Sequence, residues 1–123
     1  MSAVLDTTVL IDVLRAQPAA VNYVLSLPAQ PVCSEISRVE VIRGMRSPQR
    51  MSTFRLLASL DWHPVDAEVA ELAGRWGRRY GRSHPGMGVA DLCIAATAQV
   101  LGLPLGTDNV RHFPMFAGLK AAY

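Results

Sequence analysis

Residues 4–12 read Val4-Leu5-Asp6-Thr7-Thr8-Val9-Leu10-Ile11-Asp12, and the hydrophobic period changes inside this stretch. Ala3 to Leu5 is an apolar run suited to a short strand. From Thr7 onward the apolar positions Val9, Leu10, Val13 and Leu14 follow a helical spacing. Asp6 stands at the junction. An aspartate there is an ordinary helix N-cap, and it is equally an acid at the carboxyl end of a strand, where open parallel sheets bind their ligands. Its position alone does not separate the two roles.

Working outward, the chain continues the alternation. Pro18 ends the first helix and Ala19 to Leu27 can form a second. Pro28 and Pro31 mark a loop before a short strand at Val32-Cys33. Ser37, with Glu40 three residues later, has the pattern of a capping box, and the helix from there should stop between Gly44 and Pro48. Gln49 to Leu60 is read as helix and Trp62 to Val65 as extended. Asp66 can cap a helix running to about Tyr80, with Val69, Leu72, Ala73 and Trp76 on its apolar side. A glycine-rich loop, Gly81 to Gly88, precedes a helix from Val89 to Leu101. That helix is apolar nearly all round, which predicts deep burial. Leu103 to Gly106 is the next strand, and a short helical turn and an irregular tail with a last strand near Leu119 follow. The order predicts an α/β fold, a short parallel β-sheet covered by helices on both faces.

Four acids acquire meaning in that frame. Asp6 and Asp108 each follow a strand, so they share one sheet edge. Asp91 lies in the first turn of an apolar helix, where a buried and unpaired carboxylate costs on the order of several kcal/mol. The helix N-terminus returns only about 0.3–1 kcal/mol of that, so a metal or an arginine is expected beside it. Glu40, among Val39, Val41 and Ile42, is explained equally by the capping box with Ser37 or by an ion pair with Arg43. Oxygen ligands without thiolate or imidazole suit Mg²⁺ or Mn²⁺. A cation of that kind activates water for in-line attack on a phosphodiester. No serine, cysteine or histidine grouping offers a rival nucleophile, and no glycine-rich phosphate loop is present.

Composition narrows the field. With 123 residues, half of them apolar and 18% charged, the chain fits one domain with a core of its own and is not a disordered segment. Cys33 and Cys93 are far apart and read as buried free thiols, and His63, His84 and His112 are too scattered for zinc. No secretory signal or membrane span is visible, which predicts a soluble, cytoplasmic protein. Net charge is +2. Arginines fall in two groups, Arg38 to Arg55 and Arg75 to Arg82. The run Arg75-Trp76-Gly77-Arg78-Arg79-Tyr80-Gly81-Arg82 interleaves cations with aromatics, as single-stranded RNA binding requires, although a helix C-terminus also favours cations. Arg78, Arg79 and Arg82 are the candidate RNA contacts, while Trp76 fits the core better.

Four segments together resemble the PIN-domain ribonucleases, specifically the VapC toxins of bacterial toxin–antitoxin pairs. They are Leu5 to Asp12, Ser34 to Gly44 (Glu40 as its acid), Val89 to Ala98 (Asp91), and Leu105-Gly106-Thr107-Asp108-Asn109-Val110-Arg111-His112-Phe113. The resemblance implies a single PIN domain over residues 1–123 and a Mg²⁺-dependent endoribonuclease (Mn²⁺ as a substitute) that hydrolyses RNA with metal-activated water. It implies Asp6, Glu40, Asp91 and Asp108 as catalytic metal ligands, with Thr8 and Thr107 supporting them. At the fourth position the family's usual acid falls on Asn109, so either Asn109 replaces it as a neutral ligand or as a group supporting the ligands, or Asp108 turns inward. The resemblance also implies a homodimer and a VapB-type antitoxin whose C-terminal segment covers the pocket. The helices of residues 19–27 and 37–60 carry apolar residues beyond one core stripe, which suits a dimer or antitoxin groove and equally a second layer of core. A PIN-type nuclease acting on DNA and a non-catalytic binding module of the same fold are the alternatives.

Overall fold

The computed structural model describes residues 2–123. Its centre is one parallel sheet of four short strands, β1 (Val4–Leu5), β2 (Val32–Ser34), β3 (Asp61–His63) and β4 (Leu105–Gly106), in the order β3-β2-β1-β4. Val4 pairs with Val32 on one side and with Leu105 on the other, and Leu5 pairs with Gly106. The first and last strands are therefore neighbours, and the turns that leave them emerge together at the carboxyl edge.

A parallel sheet needs cover on both faces, and successive strand residues serve opposite faces. Leu5 and Cys33 point into a cluster with Val9, Leu10, Val41 and Leu57. That layer is built by α1 (Thr7–Leu14), α2 (Pro18–Ser26), α3 (Glu35–Gly44) and α4 (Arg50–Ala58). Val4 and Leu105 point the other way, against Ile94, Ala95 and Ala98 of α6 (Val89–Leu101) and against Phe113. The α5 helix (Ala67–Tyr80) covers the far side of α6, where Val69 and Ala73 meet Cys93 and Ala96. The parallel α/β reading with helices on both faces holds.

Local chemistry sets most boundaries. The Asp66 carboxylate caps α5 by accepting from the Val69 amide at 2.9 Å. Ala16 takes a left-handed turn (φ 58°) that closes α1 and lets Pro18 open α2. Gly102 (φ 64°) ends α6 and turns the chain into β4. Burial of α6 is confined to its middle, Cys93 to Ala98, while Val89 and Leu101 at its ends are exposed. No helix among the described residues is long and apolar enough to cross a membrane.

Three boundaries differ from the sequence reading. The cap of α3 is Ser34, whose hydroxyl accepts from the Ile36 amide, and not Ser37, which is buried within the helix. The expected helix from Gln49 to Leu60 is a 3-10 turn at Ser47–Gln49 followed by α4, which ends at Ala58. No strand forms near Leu119. The chain turns there through Phe113, Phe116 and the left-handed Gly118, and then returns so that the Ala122 amide donates to the Thr107 carbonyl.

Candidate active site

Asp6 is 3% exposed. It occupies the N-cap position of α1 but makes no capping hydrogen bond. Its Oδ2 instead accepts from Thr107 Oγ1 at 2.8 Å and from Thr8 Oγ1 at 3.0 Å. Burial pushes its pKa above the ordinary carboxylate value, the two threonine bonds partly oppose that, and the charge of Asp91 adds to the rise. The carboxylate is thus held as an acceptor in a dry setting beside another acid, with no cation partnering it among the described residues.

The turn after β4 brings the second acid. Thr8 Oγ1 lies 3.0 Å from Asp108 Oδ1 as well as from Asp6 Oδ2. One hydroxyl proton serves one carboxylate at a time, so Thr8 marks a point where both acids converge. Asp108 is exposed. Asn109 turns elsewhere: its amide N–H donates to Thr107 Oγ1 at 2.9 Å, and its side-chain nitrogen lies 3.1 Å from His112 Nδ1. Thr107, fully buried, therefore ties the turn to Asp6.

Asp91 differs from the unpaired buried acid expected from its neighbours. Its side chain is 20% exposed, because the first turn of α6 projects past the sheet edge. It accepts from the Gly88 amide at 3.1 Å and lies 3.2 Å from His112 Nδ1. His112 is the residue the sequence reading missed. It sits in a 3-10 turn at Val110–His112 beyond β4, and only the fold shows that it stands between Asp91 and Asn109.

Glu40 is exposed on α3 and approaches the site through Thr7, whose Oγ1 is 2.7 Å from Glu40 Oε1 and 2.8 Å from Ser37 Oγ. Neither the capping box nor the Arg43 pair holds it; the α3 ion pair is Glu35 with Arg38. Gly77 lies against Leu92, so the last turn of α5 adjoins the first turn of α6. Arg78 and Arg79 are exposed in that last turn and Arg82 just after it. Trp76 faces inward, edge-on to Phe116 with ring centroids 5.8 Å apart. Cys33 and Cys93 are buried free thiols, with Cys33 pushed up to about 12 by burial.

Among the described residues, no three His, Cys, Asp or Glu side chains converge tightly enough to enclose an ion. Magnesium does not need such a cage: it keeps several waters and is held by one or two carboxylates together with substrate phosphate oxygens. Here Asp6 Oδ2 and Asp108 Oδ1 share the Thr8 hydroxyl, and the charge of Asp91 acts on Asp6.

A short parallel sheet with two chain-distant acids at one carboxyl edge is the architecture of a PIN-type domain. The family model described as "PIN domain" matches residues 3–116. The chain is 38% identical over 122 residues to Ribonuclease VapC19 of Mycobacterium tuberculosis, covering 97% of this chain and 98% of the relative. It is 44% identical over 120 residues to Ribonuclease VapC10 of the same organism, covering 96% and 90%. Among solved structures, a toxin–antitoxin complex from Klebsiella pneumoniae superimposes with a TM-score of 0.84 at 26% identity, over 99% of this chain and 98% of that one. The chain belongs to the PIN domain family and, within it, to the VapC ribonucleases.

Proposed function

We propose that this protein is a divalent-metal-dependent endoribonuclease, the toxin of a toxin–antitoxin pair, with residues 1–123 acting as one PIN domain. The observation that carries the proposal is the state of Asp6. It is buried, makes no capping hydrogen bond although it occupies the N-cap position, is gripped by Thr107 and Thr8, and feels the charge of Asp91. The relatives named as ribonucleases support RNA as the substrate.

Asp6 and Asp91 would hold Mg²⁺, or Mn²⁺ in its place, with Asp108 as third acid. When bound, such an ion supplies Lewis-acid chemistry, drawing charge from a phosphodiester and acidifying water. The chain's own residues do the rest. Thr107 and Thr8 fix the orientation of the Asp6 carboxylate. The Asn109 side-chain nitrogen and Asp91 Oδ2 both meet His112 Nδ1, which serves one of them at a time; Asn109 is thus engaged away from the ligand position, and Asp108 fills the fourth position. Glu40, anchored on Thr7 beside Asp6, would receive a proton from water or orient it at the rim. Arg78, Arg79 and Arg82 would take phosphates of the RNA strand.

Partner surfaces fit the same reading. A groove of about 360 Å³ opens between α1, α3 and α4, lined by residues including Ile11, Leu14, Arg15, Glu40, Arg46 and Thr53. Leu25, Val39 and Met51 stand 78%, 58% and 75% exposed on α2, α3 and α4. A VapB-type antitoxin segment would occupy the groove, with a second copy of the chain on the apolar helix faces.

The test is cleavage of single-stranded and structured RNA, and of DNA in parallel, with Mg²⁺, Mn²⁺ or EDTA. RNA cleavage that requires the ion, and that falls by at least about 10²-fold in Asp6→Asn and Asp91→Asn, is expected. Asp108→Asn should lose far more activity than Asn109→Ala. Cleavage undiminished in both Asp6→Asn and Asp91→Asn refutes the mechanism, and cleavage of DNA alone refutes the substrate.

A further inference from the structure

The strands that set the acids apart are very short. β1 and β4 share only the Val4–Leu105 and Leu5–Gly106 pairs. The turn Thr107-Asp108-Asn109 lies past the last paired residues, so its distance from α1 depends on side-chain bonds such as Thr107 to Asp6 and Thr8 to Asp108 and on whatever backs them. A misplacement of about 1 Å at a reacting centre can cost 10²-fold in rate, so a further tie on this turn matters.

Ala122 and Tyr123 reach both elements. The Ala122 amide donates to the Thr107 carbonyl at 2.8 Å. The Tyr123 hydroxyl donates to Asp12 Oδ2 at 2.5 Å, on the helix that starts directly after Asp6. The Tyr123 ring packs on the Leu5 cluster beside Tyr23, with ring centroids 6.1 Å apart. Tyr23 in turn lies over Gly106, where any side chain would collide with its hydroxyl end. One end of this segment therefore holds the Thr107 turn and the other holds α1.

We propose that Ala122–Tyr123 is a strap joining the two acid-bearing turns, and that Tyr123 is a positioning residue for the pocket of Asp6, Thr107 and Asp108. Its consequence for metal and RNA rests on the reading of that pocket given above; the strap itself does not. Burial and the neighbouring charges of Asp12, Asp108 and Asp6 raise the Tyr123 pKa, so the phenol remains a donor through neutral pH and above. A hydroxyl donating to a carboxylate is among the stronger side-chain bonds, which suits a tie made at a single point.

The test uses Tyr123→Phe, which keeps the ring, Asp12→Asn, and the double variant, in the full chain. The first readout is amide hydrogen exchange. Tyr123→Phe should speed exchange across residues 107–110, where the Asn109 amide is bonded to Thr107, and leave the middle of α6 as slow as in the parent. Unchanged exchange at 107–110 overturns the strap, whatever the pocket does. The second readout is Mn²⁺ binding followed by electron paramagnetic resonance, without RNA. Each single variant should bind on the order of tenfold more weakly, as when groups that orient ligands are removed. The double variant should be no weaker than the worse single one, because both changes break one contact. In cleavage assays the metal concentration for half-maximal rate should rise while the rate at saturating metal is retained. A lower melting temperature with Mn²⁺ affinity unaltered makes Tyr123 merely structural and overturns the positioning role. A parent protein that neither binds Mn²⁺ nor cuts RNA refutes the proposed function, and the exchange measurement still decides the strap.

Discussion

Two roles compete for Asp6, and they differ in what the carboxylate does for stability. A helix cap stabilises by about 0.5–2 kcal/mol, so losing it lowers the melting temperature. A buried carboxylate next to Asp91 does the reverse when no cation is present. Its folded-state pKa is raised above the unfolded value of 3.8, so the folded state holds the proton more tightly. Stability from this group is then greatest below the unfolded pKa and is lost as pH rises through the window up to the folded pKa. Asp6→Asn should therefore raise the melting temperature of metal-free protein at neutral pH, and the gain should shrink as pH falls toward 4. Calorimetric scans over that range check it. A variant less stable at every pH would restore the cap. The same geometry explains what sequence could and could not give at this scale. Asp6, Asp91 and Asp108 were legible because strand ends and apolar neighbours mark them. His112 and Tyr123 were not, since each acts through a contact with a residue far away in the chain, Asp91 and Asp12.

Elements were readable where their ends are set locally. The α5 helix begins at Asp66 because the side chain bonds the Val69 amide, and α6 ends at Gly102 because the chain turns left-handed there. Asp66→Ala should cost about 1 kcal/mol, measured by urea denaturation with an unchanged slope. A cost near zero would mean that α5 is held by its contacts with α6 alone. The α3 start was misplaced because two serines compete. Ser37 with Glu40 has the spacing of a capping box, but Ser34, the last residue of β2, takes the cap, and Ser37 lies in the interior against Thr7. The strand expected near Leu119 does not form. Pro114 and the left-handed Gly118 break the run, and the Thr107 carbonyl accepts from Ala122 instead. Gly106 shows the same long-range control, since Tyr23 of α2 fills the space a side chain would need. Gly106→Ala should destabilise by about 1–3 kcal/mol through overpacking.

For the molecule as a whole, the order of strands does the decisive work. Placing β1 beside β4 brings the turns after both strands to one edge, and α6 adds Asp91 from the face behind them. The parallel arrangement with cover on both faces follows from sequence alternation, but the adjacency of the first and last strands does not. That adjacency brings the two acid-bearing turns together, and Ala122 and Tyr123 bond to the Thr107 turn and to α1. In the proposed reading, the exposed arginines at the end of α5 would meet RNA phosphates and the groove between α1, α3 and α4 would take a protein segment. The most direct test is Mn²⁺ binding to purified protein, titrated by electron paramagnetic resonance in the parent and in Asp6→Asn, with circular dichroism to confirm the fold. Saturable binding by the parent and its loss in a folded Asp6→Asn variant is the expected result. Equal Mn²⁺ affinity in the two would contradict the claim that Asp6 is a ligand.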